Sequence, residues 1–339
     1  MDKGYKESEK LLKDLEKKIQ EEYSHAVDEM DKKIGAYLKK FEKDDEEKRK
    51  KMQSGKITQQ EYQKWRTNRM ITGKKWNEMK DTLAEDLRNT NKIARSMAEG
   101  YMEDAYAINH NYGTFEVEKG YGIDTSYTLY NRDTVERLIR DDPDILPPPG
   151  KKMQRMINEG KVMQWQRRQV QSVVTQSILQ GESVPKMAKR ISTTLGARNS
   201  KDAIRYARTA MTGAQAAGRV DSYKRAQDLG IQLEQEWMAT VDGKTRDSHI
   251  DLDGERVPVG EKFSNKCRFP GDPEGAPSEV YNCRCRIVAA IKGYNYRNDD
   301  RFMRLPDGMT YEDWKQHKLS RTNKEASETN TIERRKKGR

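Results

Sequence analysis

Residues 231–260 read IQLEQEWMATVDGKTRDSHIDLDGERVPVG. Ile231, Leu233, Gln235, Trp237, Ala239 and Val241 recur at every second position, the period of an extended strand with one face turned inward. Asp242-Gly243 and Asp253-Gly254 are turn dipeptides. Val257 and Val259 predict a short second strand, and Cys285, Ile287, Ala289 and Ile291 alternate again. Residues 231–291 therefore predict a small β-rich module. Because most of the chain before it follows helical spacing, the fold class is α+β: an elongated helical N-terminal region followed by a C-terminal helical and β-rich part.

Upstream, residues 161–230 predict three helices. The first carries Val162, Trp165, Val170, Val173 and Ile178, with Gly181 as its stop. Ser183 caps the second, with Val184, Met187, Ile191 and Leu195 inward. The third starts at Asn199 or Ser200, ends at Gly230, and holds Ala203, Ala207, Ala210, Ala214 and Ala217 on one stripe. Small residues at that spacing let a neighbouring helix come close. DDPDILPPPG at 141–150 is a spacer, since three consecutive prolines cannot continue a helix.

At the N-terminus, Leu12, Leu15, Ile19, Tyr23, Val27, Met30, Ile34, Leu38 and Phe41 form a thin apolar stripe, so residues 6–52 read as one charged helix that needs a partner. Ser54-Gly55 ends it. Thr58 with Glu61 makes a capping box for the next helix, which breaks near Gly73. Six tyrosines between Tyr101 and Tyr130, punctuated by Gly113, Gly120 and Gly122, read as an irregular packed connector. The expected organisation is a helical hairpin or bundle at 1–110, a Tyr-rich and Pro-rich connector at 111–150, a helical and β-rich domain at 151–291, and a polar basic tail at 292–339.

Composition narrows the class. The chain has 339 residues, of which 36% are charged, against about 25% in ordinary globular domains. One core-rich globule is excluded. The longest apolar run, Ile287 to Ile291, is far below the roughly 20 residues of a membrane span. The opening MDKGYKESEK has no apolar signal region, and three cysteines do not make a disulfide scaffold. The expected compartment is reducing and cytoplasm-like. A net charge of +11 favours a polyanionic partner.

The densest chemistry lies between Trp237 and Cys285. Asp242, Thr245, Arg246, Asp247, His249 and Asp253 cluster around the turns, and Asn282, Cys283, Arg284 and Cys285 follow. This combination resembles the phage head morphogenesis family, the minor capsid proteins similar to protein F of phage Mu. The resemblance is carried by Trp237, the segment Asp242, Thr245, Arg246 and His249, the turn Asp253-Gly254, the loop from Pro270 to Pro273, and Cys283, Arg284 and Cys285. The helix IRYARTAMTGAQAAGRVDSYKRAQDLG adds Arg208-Thr209 and Arg219. It covers about residues 160–291.

That resemblance implies a virion protein of the phage head interior, present in the host cytoplasm during assembly, non-catalytic, and partnered with the portal protein and with capsid or scaffold proteins. Some family members carry a C-terminal toxin or transferase domain; only 48 residues follow Ile291, so none is expected here.

Three chemical readings stand beside it. His249, Cys267, Cys283 and Cys285 are ligands of the type zinc takes, making a structural zinc site the one cofactor expectation. The alternative is packed thiols. In a regular strand the two side chains of C-x-C face opposite ways, so both bind only if Cys283 lies in a turn. Asp242, Asp247, His249 and Asp253 could instead serve a metal-dependent nuclease or hydrolase packaged in the head; the competing reading makes the aspartates turn formers and pairs Arg246 with Asp242 or Asp247. Non-specific phage DNA contact is expected of Lys186, Lys189, Arg190, Arg198, Lys201 and Arg205 and of the tail residues Arg334, Arg335, Lys336 and Lys337. No membrane role is expected.

Overall fold

The computed structural model describes residues 2–146, 159–180, 183–291 and 302–321. In chain order its elements are α1 (Lys3–Lys39), α2 (Glu42–Gln53), α3 (Gln59–Met70), α4 (Lys74–Tyr121), β1 (Ile123–Asp124), α5 (Arg132–Asp141), α6 (Glu159–Leu179), α7 (Val184–Asp228), β2 (Leu233–Met238), α8 (Asp247–Ile250), β3 (Arg256–Pro258), α9 (Pro277–Val280), β4 (Arg286–Ile291) and β5 (Met303–Arg304). A further helix, α10, covers 311–321. The α+β reading holds.

The chain divides into two compact units: residues 1–13, 98–150 and 208–339, and residues 14–97 and 151–207. The division cuts across the sequence-based boundaries, because α1, α4 and α7 each lend a segment to both units.

The unit of residues 14–97 and 151–207 is helical throughout. The α1 stripe finds its partners within this chain: Met30, Ile34 and Leu38 share a core with Leu83 and Leu87 of α4, Val170 and Val174 of α6, and Met187 and Ile191 of α7. Thr58 and Glu61 form the capping box that the sequence predicts, and Gly55 and Gly73 take the left-handed conformation where the chain turns. Two differences stand out. The expected helix over 6–52 is broken at Lys40–Phe41, with no glycine or proline to announce it. Conversely, the second and third helices of the expected trio are one, α7. Asn199 does not cap: its side-chain amide donates back to the Leu195 carbonyl at 2.9 Å, so the helix runs through. Gly196 does not break it either. A Cβ there would lie 2.1 Å from Cγ2 of Val27, so the glycine serves close packing.

The other unit contains the β structure. β2 sits between β3 and β4, antiparallel to both, with Gln235 opposite Val257 and Ala289. Burial alternates along β2 as the sequence predicts. Because successive side chains of a strand point to opposite faces, Leu233, Gln235 and Trp237 all face inward. β1 and β5 form a separate two-residue ladder. The segment 101–121 is helical, the end of α4, where an irregular connector was expected. His110 of this helix joins a cluster with Tyr127 and Tyr130 of the following segment, with centroid distances of 5.4 and 4.0 Å from its ring and 5.8 Å between the two tyrosines.

The alanine stripe of α7 is buried from Ala207 to Ala217. Next to it, a Cβ on Gly218 would lie 2.4 Å from the Tyr106 carbonyl oxygen of α4. Here two helix backbones touch, and only glycine fits.

The region after residue 292 is not wholly a polar tail. Trp314 and Tyr311 of α10 pack on Phe115, and the Lys318 ammonium is buried between Glu118, at 2.9 Å, and Asp124. The aromatic spacing Tyr311, Trp314 marks this amphipathic turn in the sequence. Burial alone would raise the Asp124 carboxyl, but hydrogen bonds from Lys318 and His317 outweigh it and hold the group at about 2.

Gly218→Ala should destabilise its unit by about 1–3 kcal/mol through overpacking, whereas Gly35→Ala, which meets nothing within 4 Å, should stabilise by about 0.5–1 kcal/mol; calorimetric unfolding checks both. Because the folded-state value of Asp124 is depressed, its contribution is present above the unfolded value near 4 and lost as pH falls toward 2. Hydrogen exchange in 311–321 should rise across that window. Lys318→Ala, which takes the buried ammonium away from Glu118 and Asp124, should produce the same release at neutral pH, at a cost of about 3–5 kcal/mol.

Candidate functional site

β2 ends at Met238, and the chain turns through Thr240 to Thr245. Asp242 organises that turn: its carboxylate accepts the Lys244 amide at 2.9 Å and faces the Arg284 guanidinium in a bidentate pair at 2.5 and 2.6 Å. The Arg284 hydrogen bonds, with that amide, hold the Asp242 carboxyl far below the usual range. Arg284 therefore fills the role the sequence assigns to Arg246. Arg246 instead donates to the Tyr281 carbonyl. The Thr245 hydroxyl donates to the Thr240 carbonyl, and the Thr240 hydroxyl to the Arg284 carbonyl at 2.6 Å. The 239–245 turn is thus sewn to the C-R-C segment from both sides.

The second turn returns the chain to the sheet. Asp253 accepts the Ala239 amide at 2.8 Å, and Gly254, at a φ of 80°, donates its amide to the Trp237 carbonyl at 2.9 Å. Gln235, the polar residue on the buried face of β2, holds the following loop. Its amide donates to the carbonyls of Arg268 at 2.9 Å and Glu261 at 3.1 Å. Within that loop Asp272 is buried and takes both the Arg268 guanidinium and its backbone amide.

Between these turns lies α8, a single turn that points His249 inward. Its ring meets the Trp237 indole edge-on, with centroids 5.4 Å apart and planes at 80°. Nδ1 faces two sulfurs, Cys285 Sγ at 3.4 Å and Cys283 Sγ at 3.6 Å. Nε2 faces the Glu279 carboxylate at 3.1 Å. Asn282, with a φ of 53°, turns the chain immediately before Cys283, and β4 starts only at Arg286. This meets the condition set by the C-x-C spacing: Cys283 is outside the strand, so both thiols reach one point. Hydrogen bonding between the two thiols pulls their acidities apart, with Cys285 lowered and Cys283, also raised by burial, driven up.

Of the four sequence-predicted ligands, the structure brings together His249, Cys283 and Cys285, whose donor atoms all lie within 4.8 Å of one another. Cys267 is buried apart from them; burial, with Asp272 and Glu279 nearby, pushes its thiol up to about 12. Glu279 is the residue the sequence reading missed. Its signal is the short Pro277-Ser278-Glu279 helix start ahead of the thiols. The aspartates do not converge on His249 as a nuclease would need: Asp242 and Asp253 are engaged in the turns, and among the described residues the histidine's cluster holds two thiols and no aspartate. Arg334, Arg335, Lys336 and Lys337 lie outside the described residues.

The upstream helix holds this centre. The Thr212 hydroxyl of α7 donates to the Cys283 carbonyl at 2.8 Å, and Thr209 accepts the Asn282 amide at 3.3 Å. Arg219, fully buried, donates to the Ile287 carbonyl of β4 at 3.0 Å and pairs with Asp2. Of the positions noted in the sequence, Thr209 and Arg219 are therefore contacts through which helix and module become one body.

The comparisons fit this geometry. Residues 168–288 match the family described as Phage Mu protein F like protein. The chain is 24% identical to the minor head protein GP7 of Bacillus phage SPP1 over 253 residues, 70% of this chain and 77% of that one. It is 28% identical over 204 residues to a protein of Enterococcus faecalis named NAD(+)–arginine ADP-ribosyltransferase EFV, covering 59% of this chain but 40% of that one. With YqbB of Bacillus subtilis, an uncharacterized protein, it shares 33% over 129 residues, 36% of this chain and 41% of that one. The chain thus spans less than half of two of these three relatives. No solved structure matches it. The segment that matches the phage Mu protein F-like family, residues 168–288, contains the histidine–thiol centre and its supporting helix.

Proposed function

We propose that the protein is a non-catalytic minor head protein, acting at the portal or the procapsid interior and touching packaged DNA without sequence preference. The observation that carries this reading is the alignment with the SPP1 minor head protein along most of both chains. The site chemistry agrees with it. His249, Cys283 and Cys285 are each at most 3% exposed, and their neighbours Asp242, Arg246 and Arg284 hold turns together. Such a centre stabilises a shape; a substrate would have to displace it. The transferase activity in the name of the enterococcal relative belongs to that protein, most of whose length lies outside the alignment.

The DNA contact rests on α7. Lys186, Lys189, Arg190, Arg198, Lys201 and Arg205 are all exposed, and Arg205 is braced by Asp202 at 3.0 Å. Lys and Arg along a helix neutralise phosphates and release counterions, so affinity falls steeply with salt. No described helix is long and apolar enough to cross a membrane.

Co-sedimentation of the full chain with procapsids made with and without portal protein tests the assembly role. The chain should travel with the portal-containing particles; a chain that stays soluble with both contradicts it. For DNA, replacing Lys186, Lys189 and Lys201 together by alanine should weaken binding to unrelated duplexes alike. It should also flatten the log affinity–log salt slope by about 0.9 for each phosphate no longer neutralised.

A further inference from the structure

The geometry points to a zinc-binding site formed by His249 Nδ1, Cys283 Sγ and Cys285 Sγ, with Glu279 as the carboxylate that orients the imidazole. This is independent of the assembly role, since it rests on distances within one module.

Zinc bonds are about 2.3 Å to thiolate sulfur and 2.0–2.1 Å to imidazole nitrogen. At tetrahedral angles those lengths place nitrogen and sulfur about 3.5–3.6 Å apart. The two observed separations, 3.4 and 3.6 Å, bracket that value. A pair of packed thiols has no reason to place both sulfurs at this distance from one nitrogen, because a ring nitrogen accepts one proton only.

A ligating histidine donates its remaining N–H to a carboxylate or carbonyl, which fixes the tautomer and turns the lone pair toward the metal. Glu279 Oε2 sits 3.1 Å from Nε2 and does this. Ser248 and Asn265 approach the same oxygen at 3.5 Å, so the carboxylate is itself positioned.

Two soft thiolates with one imidazole, buried in a module of three short strands, select zinc over the hard cations that prefer oxygen. Binding replaces two S–H bonds by two S–Zn bonds and releases two protons to solvent. Among the described residues no further His, Cys, Asp or Glu joins the cluster. Cys267 is not a ligand. This separates the structural assignment from the four-residue set that the sequence predicts.

The test uses the full chain purified without a polyhistidine tag. Elemental analysis should give about one zinc per chain, and titration with an organic mercurial should release it as two thiols react, read with a zinc-sensitive dye. Cobalt substitution should give the intense sulfur-to-cobalt charge-transfer band of thiolate ligation. Cys267→Ser should keep full stoichiometry and Cys285→Ser should lose it. Glu279→Gln should keep the fold and weaken zinc affinity about 10–100-fold. Zinc well below one per chain in the unaltered protein, a disulfide between Cys283 and Cys285 in freshly reduced protein, or loss of zinc from Cys267→Ser equal to that from Cys285→Ser would each overturn the assignment.

Discussion

One imidazole holds the β-rich module together. His249 touches a carboxylate on one nitrogen, two thiols on the other, and the indole of the central strand with its edge. These contacts belong to four separated pieces of chain: α8, α9, the C-R-C turn and β2. A sheet of three short strands is marginal by itself, and the loops that flank it here are longer than the strands. A buried polar node that satisfies its groups specifies one arrangement of those loops. The turns on either side reinforce it through Asp242 with Arg284 and Arg246 with the Tyr281 carbonyl.

The module is in turn fixed to helix α7 by groups that look ordinary in isolation. Thr209 and Thr212 grip the turn that presents the thiols, and Arg219 grips the strand that follows. Gly213 packs against the Gly271 carbonyl oxygen, where a Cβ would come to 2.8 Å, and Gly218 packs against α4. The helix is therefore smooth on the sides where backbone must approach and polar where carbonyl groups need donors. An arginine buried with Asp2 and the Ile287 carbonyl is costly to desolvate, yet once paired it is costly to remove. The family match, residues 168–288, spans both this helix and the C-R-C turn.

Much of this was legible in the sequence. The change from helical to alternating spacing at residue 231 gave the α+β class, the turn dipeptides bounded the strands, and Thr58 with Glu61 marked a helix start. What failed did so for identifiable physical reasons. Asn199 and Gly196 look like helix punctuation, but one folds its side chain back on its own helix and the other makes room for Val27. The tyrosines from Tyr101 to Tyr130 suggested a connector because glycines punctuate them; as far as Tyr121 they lie on α4, where Tyr106 stacks on His110 one turn later. Cys267 matched the ligand type without the position, and Arg246 and Arg284 could not be told apart as partners of Asp242. Tertiary distance decides both. The polar composition after residue 292 concealed Lys318, whose burial depends on two carboxylates nearly 200 positions earlier in the chain.

The central claim is that the His249 node holds the module in shape as an architectural element. Hydrogen–deuterium exchange on the full chain and on His249→Ala tests it most directly. The account predicts that amide protection collapses across β2, β4 and residues 239–285 when the imidazole is removed. Protection that stays at the level of the unaltered chain in those segments would contradict it.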